Sequence, residues 1–171
     1  MAGFRRAYTI AGVVLVVALA LQFYLIAAAS WSVWGATPSS GDPTSSQIFA
    51  GFKIGDTFAS LHAINGSLVI PVTMLVMIGL AFGARHSGRV KLVTAGLFGL
   101  MVIQALLGFF GGLQSTLGSA IAGLHGLNAL AIVAVTGYLL NATWAYRPAP
   151  LAQPSAAAAP SPSSGMGAGG R

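Results

Sequence analysis

Four long apolar stretches run along this chain, separated by shorter polar ones. They cover residues 8–30, 58–83, 90–111 and 119–145. About 20 apolar residues are enough for an α-helix to cross a bilayer, and the first stretch is longer than the apolar part of a signal peptide. We therefore predict four transmembrane helices, the second of them kinked or loosened near Pro71.

Two of these stretches carry the same polar pattern. The matching segments are Leu61-His62-Ala63-Ile64-Asn65 and Leu124-His125-Gly126-Leu127-Asn128, each followed by a threonine, Thr73 or Thr136. In a helix with 3.6 residues per turn, the His, Asn and Thr positions lie on one face. Gln22 and Gln104 occur similarly in the first and third stretches. The pattern indicates two duplicated helical hairpins.

The connections differ in length. Residues 31–57 are predicted as a long outer loop, in which residues 47–54 are amphipathic enough for a short interfacial helix; an ordered loop with buried aromatics fits them equally well. Residues 147–171 are mainly Pro, Ala, Ser and Gly and are expected to form a disordered tail. Residues 1–146 then form one four-helix transmembrane domain.

Composition and charge support a membrane class. Of 171 residues, 56% are hydrophobic and only 6% are charged, against about 25% in soluble domains. The basic residues stand singly or in small groups at the ends of apolar stretches, so the net charge of +6 does not indicate a nucleic-acid partner. Only Lys53 falls on the same side as Asp42 and Asp56, and the other Lys and Arg fall opposite. The positive-inside rule then predicts cytoplasmic N- and C-termini in a bacterial-type cytoplasmic membrane.

This orientation places both histidines about one to two turns below the outer ends of two parallel helices. Ionisable residues inside a bilayer usually face the bundle interior and have a partner there. Two neutral imidazoles at one depth can ligate the iron of a haem from opposite faces. We therefore expect His62 and His125 to be metal ligands of a haem b.

Neighbouring residues complete the predicted cofactor site. Gly66 and Gly126 would let a flat macrocycle approach the backbone, and Asn65 and Asn128 would hydrogen-bond the partner helix or a propionate. Lys53, the only cation on the outer side, is the expected charge partner of the propionates.

The same residues also have other interpretations. Intramembrane His and Asn also join helices without any cofactor, at about 0.6 kcal/mol per interaction. Two histidines without carboxylates leave a bare metal site incomplete, and an ion-coupled transporter would need an intramembrane acid. The chain has no cysteine, which excludes iron–sulfur ligation, and no Ser-His-Asp set. His86 is expected to be a solvated loop residue.

With His62 and His125 in these positions, residues 8–146 resemble one four-helix half of the haem A synthase family. The chain is also similar to a group of small, uncharacterised bacterial four-helix membrane proteins with a Leu-His-x-x-Asn motif in helix four. The synthase family's catalytic half has a glutamate one turn before its first histidine, where this chain has Ala59. Many of its members also have an outer-loop cysteine pair, which is absent here. The resemblance implies a haem-binding fold and argues against methyl hydroxylation of haem.

The sequence thus predicts an all-α, integral membrane four-helix bundle that binds haem b with bis-histidine ligation. Its expected role is electron transfer, or carrying haem as a subunit of a larger redox or respiratory complex; homodimerisation is open, and an enzyme is not favoured. The alternative is a non-redox structural or assembly subunit whose polar stripes only hold helices together.

Overall fold

The computed structural model describes residues 1–35, 44–111, 113 and 115–144, and these residues form an all-α bundle. The helices are α1 (Ala2–Gly35), α2 (Ser45–Ile64), α3 (Ile70–Gly83), α4 (Gly88–Gly111) and α5 (Thr116–Thr143), and a π-helical turn, Asn65–Val69, joins α2 to α3. Because α2, the π turn and α3 are continuous, the described residues form four long helices.

The four long helices are apolar enough to cross a membrane, over Ala2–Ser32, Gly55–Gly83, Gly88–Gly111 and Thr116–Thr143. α1 packs against α2, α3 and α5, and α4 packs against α3 and α5, which makes a four-helix bundle. Many large apolar side chains remain exposed, as is expected of a surface that faces lipid tails rather than water. The chain is therefore a multi-pass membrane protein.

The two ends of the bundle differ in charge. We call the end where α1 and α4 begin the basic end, and the opposite end the loop end. The described Lys and Arg residues lie at the basic end except for Lys53, and Asp56, the only described acid, is near the loop end. The charge asymmetry behind the predicted orientation is thus present, and the orientation itself stays a prediction.

The connection predicted over residues 31–57 is helical at both of its ends, over residues 31–35 and 45–57. The side chain of Thr44 accepts a hydrogen bond from the Gln47 N–H, and the side-chain oxygen of Gln47 accepts one from the Thr44 N–H. This capping box starts α2 far ahead of the apolar stretch. Residues 47–54 are indeed helical, as part of α2 rather than as a separate interfacial helix. Residues 36–43, with Asp42, and the predicted tail at 147–171 lie outside the described residues.

The fourth long helix also begins earlier than predicted, at Thr116 instead of residue 119. The Ser115 side chain accepts a hydrogen bond from the Gly118 N–H at 3.0 Å and so caps the helix. Both early starts lie in polar sequence, where hydrophobicity gives no signal.

The loosened turn expected near Pro71 is confirmed as the π turn. Its last hydrogen bond runs from the Ile70 N–H to the Asn65 carbonyl, one residue further than in an α-helix. Pro71 has no N–H to donate and its ring would clash with a carbonyl of the preceding turn, so a widened turn just before it relieves both problems.

The π turn adds one residue to the first hairpin relative to the second. The offset between corresponding positions of the two hairpins therefore differs before and after the turn. Before the turn, His62 and Asn65 correspond to His125 and Asn128, 63 positions later. After it, the buried residues correspond at 62 positions: Ile70, Met74, Met77 and Ala81 with Ile132, Thr136, Leu139 and Thr143. Met74, not Thr73, is therefore the structural counterpart of Thr136.

The prediction of a shared His-Asn-Thr face is thus wrong at its third position. Thr73 is only partly buried and donates to the Val69 carbonyl of its own helix at 2.8 Å. Thr136 is buried and donates to the Ile132 carbonyl, also at 2.8 Å. Neither hydroxyl joins two helices.

Candidate cofactor site

In the first hairpin, three polar side chains join α1 to α2 and the π turn. His62 Nδ1 lies 3.1 Å from the Gln22 carbonyl oxygen. The Asn65 amide donates to Gln22 Oε1 at 2.8 Å and to the Ala18 carbonyl at 2.9 Å. Gln22 Nε2 in turn donates to the His62 carbonyl at 3.0 Å. This network fixes the height and rotation of the histidine.

The second hairpin repeats the network between α4 and α5. His125 Nδ1 lies 3.1 Å from the Gln104 carbonyl oxygen, and the Asn128 amide donates to Gln104 Oε1 at 2.7 Å and to the Leu100 carbonyl at 2.9 Å. Leu100 precedes Gln104 by four residues, as Ala18 precedes Gln22. The backbone carbonyls of Gln22 and Gln104 thus orient the two histidines, and their side chains bond the two asparagines.

The Nδ1 contacts determine the tautomer of both imidazoles. A carbonyl oxygen only accepts hydrogen bonds, so Nδ1 must carry the proton, and in the neutral ring Nε2 then carries the lone pair. No residue in the described part of the chain forms a hydrogen bond with Nε2 of His62 or of His125. Each histidine therefore retains one nitrogen able to bind a metal ion.

Both histidines line one cavity of about 870 Å³ between the hairpins. The other lining residues are mostly apolar: Leu19, Gln22, Phe23, Ile26, Ala63, Gly66, Ser67, Ile70, Met101, Gln104, Ala105, Leu107, Gly108, Phe109, Gly111, Ala122, Gly126, Ala129 and Ile132. None of them is charged. Cofactor and ligand sites typically measure roughly 300–1,000 Å³ and combine apolar walls with a few polar groups, as this cavity does.

The structure brings some predicted site residues to the cavity and not others. Gly66 and Gly126 line it with the two histidines. Asn65 and Asn128 do not line it, because their amide groups bond the neighbouring helices. Of the two partners expected for these asparagines, the structure shows the helix. Lys53 also lies outside the lining, exposed on α2 between the loop end and His62.

Two glycines, Gly66 and Gly108, let side chains of neighbouring helices come close to the backbone, whereas the sequence predicted that glycines would let a macrocycle come close. A Cβ atom on Gly66 would lie 2.7 Å from Gln22 Nε2, so this glycine makes room for the glutamine amide. A Cβ atom on Gly108 would lie 3.1 Å from the His125 ring, whereas one on Gly126 would meet nothing within 4 Å. Gly108 was missed as a site residue, although its position one turn after Gln104 could have indicated it.

The described residues hold no group of three or more His, Cys, Asp and Glu side chains that could bind a metal ion. A site built only from protein ligands would need such a group. Comparison with known protein families, with curated proteins and with solved structures finds no match to this chain. A proposal for the function of this chain therefore rests on the chemistry of the residues that line the cavity.

Proposed function

We propose that this protein binds one haem b within the membrane and that His62 and His125 are the residues that would hold its iron. One observation carries the proposal. Each hairpin supplies one histidine to the same cavity, and each histidine has its Nδ1 bonded to a carbonyl and its Nε2 free of partners among the described residues. That is the state in which imidazole binds iron.

The surroundings of the histidines fit such a group. Metal-bound histidines usually donate their second ring N–H to a carbonyl or carboxylate, which fixes the ring and raises its basicity. The Gln22 and Gln104 carbonyls occupy that position here. A porphyrin brings four nitrogen ligands of its own, so two histidines are sufficient, and a larger cluster of protein ligands is not needed.

The proposed role is electron transfer. Bound haem would supply a one-electron redox centre, and two histidine ligands leave its iron without an open position for oxygen. The protein itself contributes ligand orientation through the glutamine carbonyls and an apolar wall that excludes water. We propose a small membrane cytochrome or the haem-carrying subunit of a membrane redox complex.

Further parts of the proposal rest on charge and on resemblance. Lys53 is the only described cation toward the loop end, and it is the proposed charge partner if the propionates point that way. The repeated networks support an origin by hairpin duplication. The proposed likeness to one half of the haem A synthase family rests on the positions of His62 and His125. Ala59, in place of an acid, supports haem carriage over haem modification. The basic end supports an orientation with both termini in the cytoplasm.

A structural or assembly subunit is the second candidate, and the interhelical bonds of Asn65 and Asn128 favour it. These bonds need no cofactor. The same role gives no purpose to the cavity that both histidines line, nor to the two Nε2 atoms, which have no partner among the described residues.

Spectroscopy of the purified protein with histidine variants separates the two candidates. We expect a Soret band and sharp reduced-state α and β bands in the wild type, and loss of this low-spin spectrum in His62→Ala and in His125→Ala. His86→Ala, at the basic end and away from the cavity, is the matched control and should keep the spectrum. Thermal unfolding in detergent shows whether each variant is folded. Folded, colourless wild-type protein from haem-replete cells would reject the haem proposal.

A further inference from the structure

At the basic end, three arginines line a second cavity, of about 480 Å³. Arg5 and Arg6 lie in the first turns of α1, and Arg85 lies in the turn between α3 and α4. The remaining lining residues are Ala2, His86, Ser87, Ala142, Thr143 and Trp144. This pocket is separate from the cavity between the histidines.

The described part of the chain supplies no negative charge to these arginines. The whole sequence has two acidic residues. Asp56, the only acid among the described residues, lies toward the loop end, and Asp42 lies outside the described residues. A fourth arginine, Arg89, lies at the same end but does not line the pocket. Its guanidinium carbon lies 5.7 Å from the centre of the Tyr138 ring. The arginine pocket therefore has a charge that an anionic ligand would balance.

Arg85 holds an unusual backbone conformation to reach this position. Its φ of 51° is in the left-handed region, which helix ends normally fill with glycine. The His86 N–H bonds the Ala81 carbonyl at 3.1 Å and closes the turn around it. A residue with a side chain costs roughly 1 kcal/mol there relative to glycine. A guanidinium that helps to bind a ligand gives this strained position a use.

His86 forms part of the wall and is not the solvated loop residue that the sequence suggested. It is half-buried, its ring lies 4.8 Å from that of Tyr8, and no described residue pairs with its Nε2. Burial lowers the pKa of His86, and the positive charges of Arg5 and Lys91 lower it further. Both effects favour the neutral imidazole, and the arginines supply the charge of the pocket.

Helix dipoles do not decide the sign of this pocket. α1 and α4 begin at the basic end, whereas α3 and α5 end there, so positive and negative helix ends meet and largely offset each other. The three guanidinium groups then set the potential.

We infer that this pocket binds a phosphate group, carried by the headgroup of an anionic phospholipid. Guanidinium groups bind phosphate oxygens in pairs, and basic pockets between the ends of transmembrane helices suit lipid headgroups. The pocket lies where the four candidate spans begin or end, at Ala2, Gly83, Gly88 and Thr143, and Trp144 lies in its wall. Tryptophan is enriched at that level of the membrane.

The test measures binding of short-chain phosphatidylglycerol and phosphatidylcholine to the full-length protein in detergent. We expect the anionic lipid to bind more tightly, and Arg85→Gln and Arg5→Gln each to weaken it roughly fivefold. Arg89→Gln removes the same charge at the same end but outside the lining, and should leave the affinity within about twofold.

A parallel titration with inorganic phosphate separates the two sources of the ligand. If phosphate binds and loses affinity in Arg85→Gln, the phosphate site stands, with a soluble ligand as its occupant. If neither probe prefers the wild type, or if Arg89→Gln weakens binding as much as Arg85→Gln, the inference is overturned. His62→Ala should keep lipid binding, so failure of the haem proposal leaves this result unaffected.

Discussion

The two hairpins hold their histidines with the same contacts but continue differently below them. In both, a glutamine carbonyl orients the histidine, and an asparagine joins the glutamine to the carbonyl four residues earlier. Below the site, the first hairpin has a π turn and the second a regular α-helix. The part of the hairpin that holds the histidine is thus the same. The helix below it accommodates an inserted residue, because the buried positions beyond the π turn still match those of the second hairpin.

A second difference lies in the glutamines. Gln22 Nε2 donates to the His62 carbonyl, but between the described residues Gln104 and His125 no such bond forms. Gly66 provides the space for the Gln22 amide, and the corresponding position in α5 is Ala129. The first histidine is therefore held by one more hydrogen bond than the second.

The largest expected difference between the hairpins is in folding, when one residue is deleted from the first hairpin in one variant and from the second hairpin in another. Deleting Ser67 in a Pro71→Ala background converts the π turn to an α-helix and keeps Met74 buried, so thermal unfolding should remain cooperative. Deleting Leu130 rotates the rest of α5 by about 100° relative to the residues before it. This rotation moves Thr136 out of the bundle interior and should abolish folding. Equal loss of folding in both deletions would contradict the role given to the π turn.

Removing the asparagines should have a smaller and unequal effect. Asn65→Ala leaves the Gln22 side chain and the Ala18 carbonyl without this donor, and Asn65 is only 5% exposed. We expect a loss of about 1 kcal/mol in the free energy of unfolding. Asn128 is less buried, so Asn128→Ala should lose less. A larger loss in Asn128→Ala, measured by denaturant titration in detergent micelles, would show that burial does not set the difference.

The smallest expected effect comes from exchanging the small residues beside the glutamines. Gly66→Ala should displace the Gln22 amide and give the first hairpin the hydrogen bonds of the second, at a loss of about 0.5–1 kcal/mol. Ala129→Gly is the reciprocal variant and should let Gln104 reach the His125 carbonyl. The amide signals of the two glutamines in NMR spectra report on the exchange. Unchanged signals in both variants would mean that the methyl group is not the cause.

The sequence was sufficient to predict four candidate membrane spans and the approach of His62 and His125 to one another, because polar residues in apolar stretches are easily recognised. Haem ligation by the two histidines stays a prediction. The sequence did not indicate that the π turn changes the offset between corresponding residues of the two hairpins. This one-residue change is detected only when the buried positions of the two hairpins are compared. The sequence also missed the early helix starts, where Thr44 and Ser115 act as caps in polar sequence. The backbone acceptors of Ala18 and Leu100 have no sequence signature, because any residue has a carbonyl.

The central claim is that each hairpin contributes one ligand to a single haem. It is tested most directly by titrating haem into purified apoprotein while recording its absorption and electron paramagnetic resonance spectra. The claim predicts saturation at one haem per chain with a six-coordinate, low-spin signal, which becomes high-spin when His62 or His125 alone is replaced by alanine. Binding without saturation, or a low-spin signal that survives either replacement, would contradict it.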